Sequence, residues 1–600
     1  MNASNVEGLR NAVIDTSERG LLAASRWAAE MLAGLSPSLK TPSMRSTPAK
    51  RNNAFPIRRP KSPPPPPPEA HFVTPSSPPT DLITLTQLKE GNKPLDSLPS
   101  FERAGLAEVA STRTTVLDAP TSDEEKDAYS LARRFFDSRD FGRVVYTLRD
   151  YKSAQSRFLS FYSEYLIAEK QALAAFYKRN IAKKHNPGPL NNSLIKLLDA
   201  VGQTDDPFLL FLKGLLLYHV SRRAEALECL IRSVNLYPWN WSAWIQLSTC
   251  LEDNEEYQGV SKHFPPHVAT RIFQIRFMNE LHSPGDSELN NVDALLRLFP
   301  GSSFLMTQKA LDLDFDTAER VYDEIRRRDP FRIDDIDVFS NILYVMEKRT
   351  KLSKLAHEFL ALDKDRPEVC CLIGNHYSLR ADHEKAIKYF RRAVQLDRFC
   401  LSAWTLMGHE YIEMKNSQAA IEAYRRAVEV NKKDFRGWYG LGQAYELLNM
   451  PNYALYYYQR GTALRPYDLR MWQAMGMCYQ ELNKPREAIS CLKRALLSPD
   501  ARESTLNLKI AALHDSLQER AEAAAYHRRC VELGITEKRP VAEYVQSCMY
   551  VARYNFFHGG GDMKLAKEHL EKVSSSNVEM ESGAAAEYLR RLRIMHPELF

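Results

Sequence analysis

LSAWTLMGHEYIEMKNSQAAIEAYRRAVEVNKKD, residues 401–434, runs directly into FRGWYGLGQAYELLNMPNYALYYYQRGTALRPYD, residues 435–468. Laid over one another, the two stretches agree at Trp404 and Trp438, Gly408 and Gly442, Tyr411 and Tyr445, Ala420 and Ala454, and Tyr424 and Tyr458, always 34 residues apart. The same step reaches Gly374, Tyr377, Ala386 and Phe390 on one side and Trp472, Gly476, Tyr479 and Ala488 on the other. Each unit holds two runs of helical apolar spacing with a polar break between them, so each is predicted to be a helix hairpin. The small residue of helix A, Gly408 for example, is expected to face the small residue of helix B, Ala420, and let the backbones approach. The aromatics are expected to fill the space between hairpins. One hairpin cannot bury its own apolar stripe, so stacking supplies the core. Pro466 sits after helix B, where a residue that cannot continue a helix is wanted.

A 34-residue hairpin period is that of tetratricopeptide repeats. The expected fold class is all-α: a superhelical solenoid of such repeats, with an N-terminal helical segment and a disordered Pro-rich linker. In the same frame fall 299–332, with Ala318, Tyr322 and Pro330, a weaker 333–366, 207–240 with Gly214, Ala226 and Pro238, and a unit from 241 with Trp244 and Leu247. Between 255 and 298, Pro265-Pro266 and Pro284-Gly285 interrupt the helices, so the phase is expected to survive only with irregular loops. Residues 125–158 read as a degenerate repeat, and 503–536 and 541–595 as atypical ones. The chain therefore divides into a helical segment 1–35, a linker 36–124, a degenerate repeat region 125–298, a regular array 299–502 and capping helices 503–600.

The linker contains six consecutive prolines, Pro63 to Pro68, and such a composition cannot bury enough apolar surface to offset the entropy of ordering it. Ser36, Thr41, Thr47, Ser62, Thr74 and Ser77 each precede a proline, and Thr47-Pro48-Ala49-Lys50 resembles the recognition sequence of cyclin-dependent kinases. These are candidate phosphosites, and a phosphate would add about −1.5 to −2 charges each to a basic stretch. A polyproline ligand for an SH3 or WW domain is an alternative use of the same segment.

Composition narrows the function classes. Of 600 residues 44% are hydrophobic and 26% charged, with 81 basic and 75 acidic residues leaving a net charge of +6. No face declares itself for nucleic acid or membrane, so protein is the expected partner. The nine cysteines form no CxxC pair and are expected to be reduced core residues, with the vicinal Cys370 and Cys371 pointing to different helix faces. Glu7, Asp15 and Glu18 are unlike the flank of a signal peptide, and the apolar run Phe208 to Tyr218 is short and broken by Lys213, so an intracellular chain without a membrane span is expected. Neither a metal nor a cofactor is called for: Gly408-His409-Glu410 lacks the second histidine of a zinc helix, and His558-Gly559-Gly560-Gly561 has no nucleophile turn beside it.

Four stretches go beyond a generic repeat: DPFRIDDIDVFSNILYV at 329–345, VCCLIGNHYSLR at 369–380, AWTLMGHEYIEMKN at 403–416 and WYGLGQAYELLNMP at 438–451. They resemble the eighth subunit of the anaphase-promoting complex, or cyclosome. The resemblance is collinear through 125–300 and returns around Ser17 to Leu22 and Trp27 to Glu30. It implies a non-catalytic subunit of a ubiquitin ligase that marks mitotic regulators for destruction, found in the nucleus with cytoplasmic presence in mitosis. It further implies a homodimer through the N-terminal half, stacking on other repeat subunits, and a groove in the C-terminal half that receives a motif from the coactivator's N-terminal tail.

In such a superhelix the second, fifth, ninth and twelfth positions of each helix A line the groove. In frame these include Asp337, Asn341, Tyr344, Glu368, Asn375, Ser378, His409, Tyr439 and Glu446. Asn341 and Asn375 are suited to hydrogen bonds with an extended peptide backbone, Asp337, Glu368 and Glu446 to arginines, and Tyr344 and Tyr439 to apolar anchoring. The rival reading is a cochaperone adaptor that clamps an acidic tail with lysines. The fifth positions here are Asp337, Cys371, Thr405 and Tyr439, so such a tail would meet no lysine among them.

Overall fold

The computed structural model describes residues 3–36, 122–180, 191, 193–281, 286–498, 503–557, 562–575 and 579–597. Among them every regular element is helical. Of the candidate phosphosites only Ser36 is described; Thr41, Thr47, Ser62, Thr74 and Ser77, like most of the expected linker and His558 to Gly561, lie outside the described residues. No helix among the described residues is long and apolar enough to cross a membrane.

The chain forms two compact units, the first from residues 1–271 and 295–302, the second from 272–294 and 303–600. The first holds α1 (Ala3–Glu18), α2 (Leu22–Gly34), α3 (Asp123–Asp137), α4 (Phe141–Leu148), α5 (Ala154–Asn180), α6 (Ser193–Val201), α7 (Pro207–His219), α8 (Arg223–Leu236), α9 (Trp241–Cys250) and α10 (Asn254–Ser261). The N-terminal pair is bound into this unit. Trp27 stacks on Trp241 with centroids 4.2 Å apart, and the 1% exposed Arg19 guanidinium lies 4.2 Å above the Phe208 ring. The Tyr129 hydroxyl donates to the Glu18 carbonyl at 2.8 Å and the Tyr237 hydroxyl to Asp15 Oδ2 at 2.7 Å. A cationic head this deep is tolerable because the aromatic face compensates part of its desolvation.

Next come α11 (Val268–Glu280) and α12 (Asp286–Leu298), which are divided between the units. The expected interruption is seen at Pro265-Pro266, which lie in the non-helical stretch 262–267 between α10 and α11, while Pro284-Gly285 lie outside the described residues. Pro265 and Pro266 fall just ahead of α11, where a missing N–H costs nothing, and α12 begins directly after Gly285.

The second unit continues with α13 (Ser303–Leu311), α14 (Phe315–Arg328), α15 (Ile336–Val345), α16 (Arg349–Leu362), α17 (Pro367–Ser378), α18 (His383–Leu396), α19 (Leu401–Glu413) and α20 (Ser417–Val430). Then follow α21 (Phe435–Leu447), α22 (Pro451–Leu464), α23 (Leu469–Glu481), α24 (Pro485–Ala495), α25 (Glu503–Ser516), α26 (Arg520–Thr536), α27 (Val545–Phe557), α28 (Met563–Ser574) and α29 (Glu579–Met595).

Three local devices repeat along this unit and set the hairpin shape. Helix A ends at a left-handed residue, Glu347, Ala381, Lys415, Asn449 and Asn483 in turn, with φ of 54°, 61°, 57°, 56° and 55°. Its neighbours bond back into the helix, Asn416 N–H to the Tyr411 carbonyl at 2.8 Å for example, which satisfies the free carbonyls at that end. After α16, helix B starts on a side-chain cap, with Lys385 N–H donating to Asp382 or Ala419 N–H to Asn416, or on Pro451 or Pro485 in the first turn. Between repeats, the indole N–H groups of Trp404, Trp438 and Trp472 donate to the carbonyls of Arg398, Lys432 and Pro466 at 2.9, 2.9 and 2.6 Å, pinning the loop.

Ala386, Ala420, Ala454 and Ala488 are all fully buried. The nearest neighbour of the helix A glycine in three of these repeats is an aromatic ring of helix B. A Cβ on Gly374 would meet the Phe390 ring at 2.3 Å, on Gly408 the Tyr424 ring at 2.5 Å and on Gly442 the Tyr458 ring at 2.3 Å. The glycine thus makes room for the aromatic four residues past the alanine. These rings lie inside the hairpin as well as between hairpins, since Tyr424 also abuts Gly440 of the next repeat. At Gly476 the nearest side chain is aliphatic, Leu492 at 3.1 Å, and the carbonyl of the helix B alanine Ala488 follows at 3.5 Å.

Candidate functional site

The A helices α15, α17, α19 and α21 bring their polar faces together along one wall of the second unit. Asn341 and Asn375 occupy the same repeat position in adjacent helices, and they bond to each other across the seam. Asn375 Nδ2 donates to Asn341 Oδ1 at 2.7 Å and to Ser340 Oγ at 2.8 Å. Asn375 is 1% exposed, so both amide hydrogens are committed to the wall. Ser378 is likewise buried. Its hydroxyl donates to Glu410 Oε1 at 2.6 Å and lies 3.3 Å from the Tyr344 hydroxyl, while Glu410 Oε2 is 2.7 Å from His383 Nδ1. The 4% exposed Glu410 therefore ties α17, α18 and α19 together.

Acidic residues gather at the start of α15. Asp335 caps this helix in a left-handed conformation with φ 62°. Burial, reinforced by the charges of Asp337 and Asp334 against that of Arg332, pushes its carboxyl up to about 6. Burial also raises Asp337, against the Ser402 hydroxyl that donates to its Oδ2 at 2.8 Å. Glu368, at the start of α17, is raised by burial and by Asp337 and Asp334, with Arg366 opposing. The three carboxyls are held above their ordinary range even with Arg332 3.8 Å from Asp335 and Arg366 3.6 Å from Glu368.

Arg436, whose charge also acts on Asp337, turns its Nε, Nη2 and backbone N–H to the buried Asp434. His409 Nδ1 is 2.8 Å from the Tyr424 hydroxyl, and burial, with Arg436 adding its charge, holds the imidazole down at about 4, so it is neutral at physiological pH. Tyr439 is half-buried, with Gln443 donating to its hydroxyl at 3.3 Å and the Arg470 guanidinium 5.8 Å from its ring. Glu446 Oε2 accepts from the Tyr458 hydroxyl at 2.8 Å. The wall thus alternates an acidic mouth, a tightly bonded polar seam and a tyrosine-lined end.

Residues 5–310 match the family described as anaphase promoting complex subunit 8 / Cdc23, and generic tetratricopeptide models match 367–400, 408–449 and 469–498. The chain belongs to the subunit 8 / Cdc23 family. Similar curated proteins include anaphase-promoting complex subunit 8 of Arabidopsis thaliana, 38% identical over 66% of this chain and 63% of the relative. The anaphase-promoting complex subunit CDC23 of Saccharomyces cerevisiae is 29% identical over 47% and 56%. The human cell division cycle protein 23 homolog is 38% identical over 39% of this chain and 40% of the relative. The chain therefore spans less than two thirds of the length of the relatives it matches. A solved structure, the APC/C hetero-tetramer Cut9-Hcn1, aligns with a TM-score of 0.50 at 18% identity, covering 78% of this chain and 89% of that one, which speaks for the fold alone.

Within this member of the family the repeat frame places Asp337, Glu368, Asn341, Tyr344, Tyr439 and Glu446 on the wall. It does not announce Asp335, Ser340 or Glu410. Asp335 falls in the turn ahead of α15, outside the helical periodicity. Glu410 pairs with residues 27 and 32 positions away. The one sequence signal for it is an acidic residue among the apolar ones of α19.

Proposed function

We propose that this chain is a non-catalytic scaffold subunit of the anaphase-promoting complex. In this reading its degenerate N-terminal repeats pair two copies, its other faces stack on further repeat subunits, and its regular repeats dock the N-terminal motif of a coactivator. It thereby promotes ubiquitination of mitotic regulators from the nucleus, and from the cytoplasm in mitosis, with catalysis supplied by other subunits. Family membership supports the assembly.

The acidic mouth carries the docking reading. Burial raises Asp335, Asp337 and Glu368, and the charge of Asp337 adds to the rise at Asp335 and Glu368, so an arginine side chain of a bound peptide would form charge-assisted bonds there. Asn341, Tyr344, Tyr439 and Glu446 would contact the rest of the peptide, with Asn375, Ser378 and His409 bracing the wall behind them. Phosphorylation of the proline-directed sites Ser36, Thr41, Thr47, Ser62, Thr74 and Ser77 would tune this assembly by charge.

The test is affinity purification of the tagged full chain from mitotic cells, followed by mass spectrometry and a cyclin-ubiquitination assay on the eluate. Co-purification of cullin-like and RING subunits with ligase activity is expected, and Asp337→Asn should lose coactivator while keeping those subunits. Recovery of chaperones alone would overturn the assignment. Sedimentation of the purified chain tests the homodimer.

A further inference from the structure

Seven of the nine cysteines are unremarkable core or surface thiols, but two meet. Cys371 Sγ, on α17, lies 3.9 Å from Cys400 Sγ, the residue that caps the N-terminus of α19. We propose that Cys371 and Cys400 are an oxidisable dithiol, which hydroperoxides convert to a disulfide that staples the start of α19 to α17.

Three observations support a defined order of events. Cys371 is fully buried whereas Cys400 is half-buried, so an oxidant reaches Cys400 first. Cys400 also sits where the first backbone N–H groups of a 13-residue helix point outward, and such a helix end favours an anionic sulfur. The hydrogen bond from the Cys371 thiol and the backbone N–H of Ala403 both draw its ionisation down, against burial and the charges of Asp337 and Asp397, while Cys371 is held up and keeps its proton. By contrast burial pushes Cys370, Cys491, Cys530 and Cys548 up to about 11 and Cys478 to about 12. Vicinal Cys370 points elsewhere, its thiol donating to the Lys364 carbonyl at 3.5 Å.

The chemistry balances with a hydroperoxide as the two-electron oxidant. The Cys400 thiolate attacks the peroxide oxygen, the O–O bond breaks, and the leaving oxygen takes a proton to depart as water or an alcohol, leaving a sulfenic acid on Cys400. Cys371 sulfur then attacks the Cys400 sulfur, the S–O bond breaks, and the Cys371 proton leaves with the hydroxide as water. A disulfide bond needs the sulfurs at about 2.05 Å, so the two side chains must rotate about Cα–Cβ to close the gap from 3.9 Å. Ser402, two residues past Cys400, is the hydroxyl bonded to Asp337, so the staple also fixes the turn that presents this partner.

The experiment treats the full chain with excess hydrogen peroxide, blocks remaining thiols with N-ethylmaleimide, and maps linkages by mass spectrometry without reduction. A single Cys371–Cys400 linkage is expected, reversed by dithiothreitol. It should persist in Cys370→Ser and vanish in Cys371→Ser, where dimedone should instead trap a sulfenic acid at Cys400. Linkage mapping on the unmodified sequence needs no variant to fold. A linkage through Cys370, a dimedone adduct at Cys400 in the unmodified chain, or quantitative alkylation of both thiols after peroxide would each overturn the proposal.

Discussion

The ring of Tyr424 lies directly over Gly408, so close that a Cβ there would stand 2.5 Å from it. The ring cannot retreat. It is fully buried, the same ring edge abuts Gly440 of the next repeat, and its hydroxyl is held 2.8 Å from His409 Nδ1. Gly374 under Phe390 and Gly442 under Tyr458 repeat the relationship.

Gly408→Ala should therefore lower stability by about 1–3 kcal/mol, and Gly442→Arg by more, through overpacking. Gly476→Ala should cost under about 1 kcal/mol, because its neighbour Leu492 is 3.1 Å away and aliphatic, and can change rotamer. Thermal melts of the three variants check this. Equal shifts for Gly408→Ala and Gly476→Ala would contradict the ring-over-glycine packing.

Glu410 is the second point of leverage. Glu410→Ala leaves the hydroxyl of Ser378 and the ring of His383 without their partner inside the unit, and should cost about 2–3 kcal/mol. Glu410→Gln keeps an acceptor for Ser378 and should cost less. A double-mutant cycle with Ser378→Ala should be clearly non-additive, since both residues share one bond; simple additivity would place Glu410 outside this network.

The hairpins were legible in the sequence because their geometry demands residue types: glycine beneath Tyr424, buried Ala420, Trp404 at the repeat junction. Periodicity marks where such residues stand but not which neighbour comes nearest, which over Gly408 is the Tyr424 ring. Prolines 265 and 266 mark the break between α10 and α11, because a residue without an N–H is excluded from the helix interior. On the wall, helical phase located Asp337 and Glu368. It also offered Asn375 as a ligand contact, whereas neighbouring A helices pack closely enough that Asn341 satisfies it first. Glu410 and Asp335 stayed hidden because their partners lie in other helices or their position lies in a turn.

His409 gives the second unit a pH-dependent stability with a definite sign. Its folded value of about 4, set by burial and then by Arg436 with Asp434 opposing, lies below the unfolded value of about 6.5. Above that unfolded value both states are neutral and nothing is gained or lost. As pH falls from about 6.5 toward 4 the unfolded chain takes up a proton that the folded one refuses, so stability declines, by about 2 kcal/mol at pH 5. His409→Gln, which still offers Tyr424 an acceptor, should flatten this part of the melting profile relative to the parent chain. An unchanged slope would assign the acid sensitivity to other histidines.

Binding of an arginine-containing peptide at the acidic mouth should also depend on pH, through a different group. Asp335 is pushed up to about 6 in the free protein, yet it must be ionised to pair with a guanidinium, which would draw its value down. Affinity should therefore be full above about pH 7 and fall as pH drops through 6, with about half a proton released per peptide bound near pH 6 and more below it. Calorimetry in buffers of different ionisation enthalpy reads that proton directly. Asp335→Asn should flatten the profile, whereas Asp337→Asn should weaken binding about tenfold at every pH, the cost of one charge-assisted bond. A pH-independent affinity in the parent chain would show that the peptide bypasses Asp335, and the docking geometry would have to move away from the start of α15.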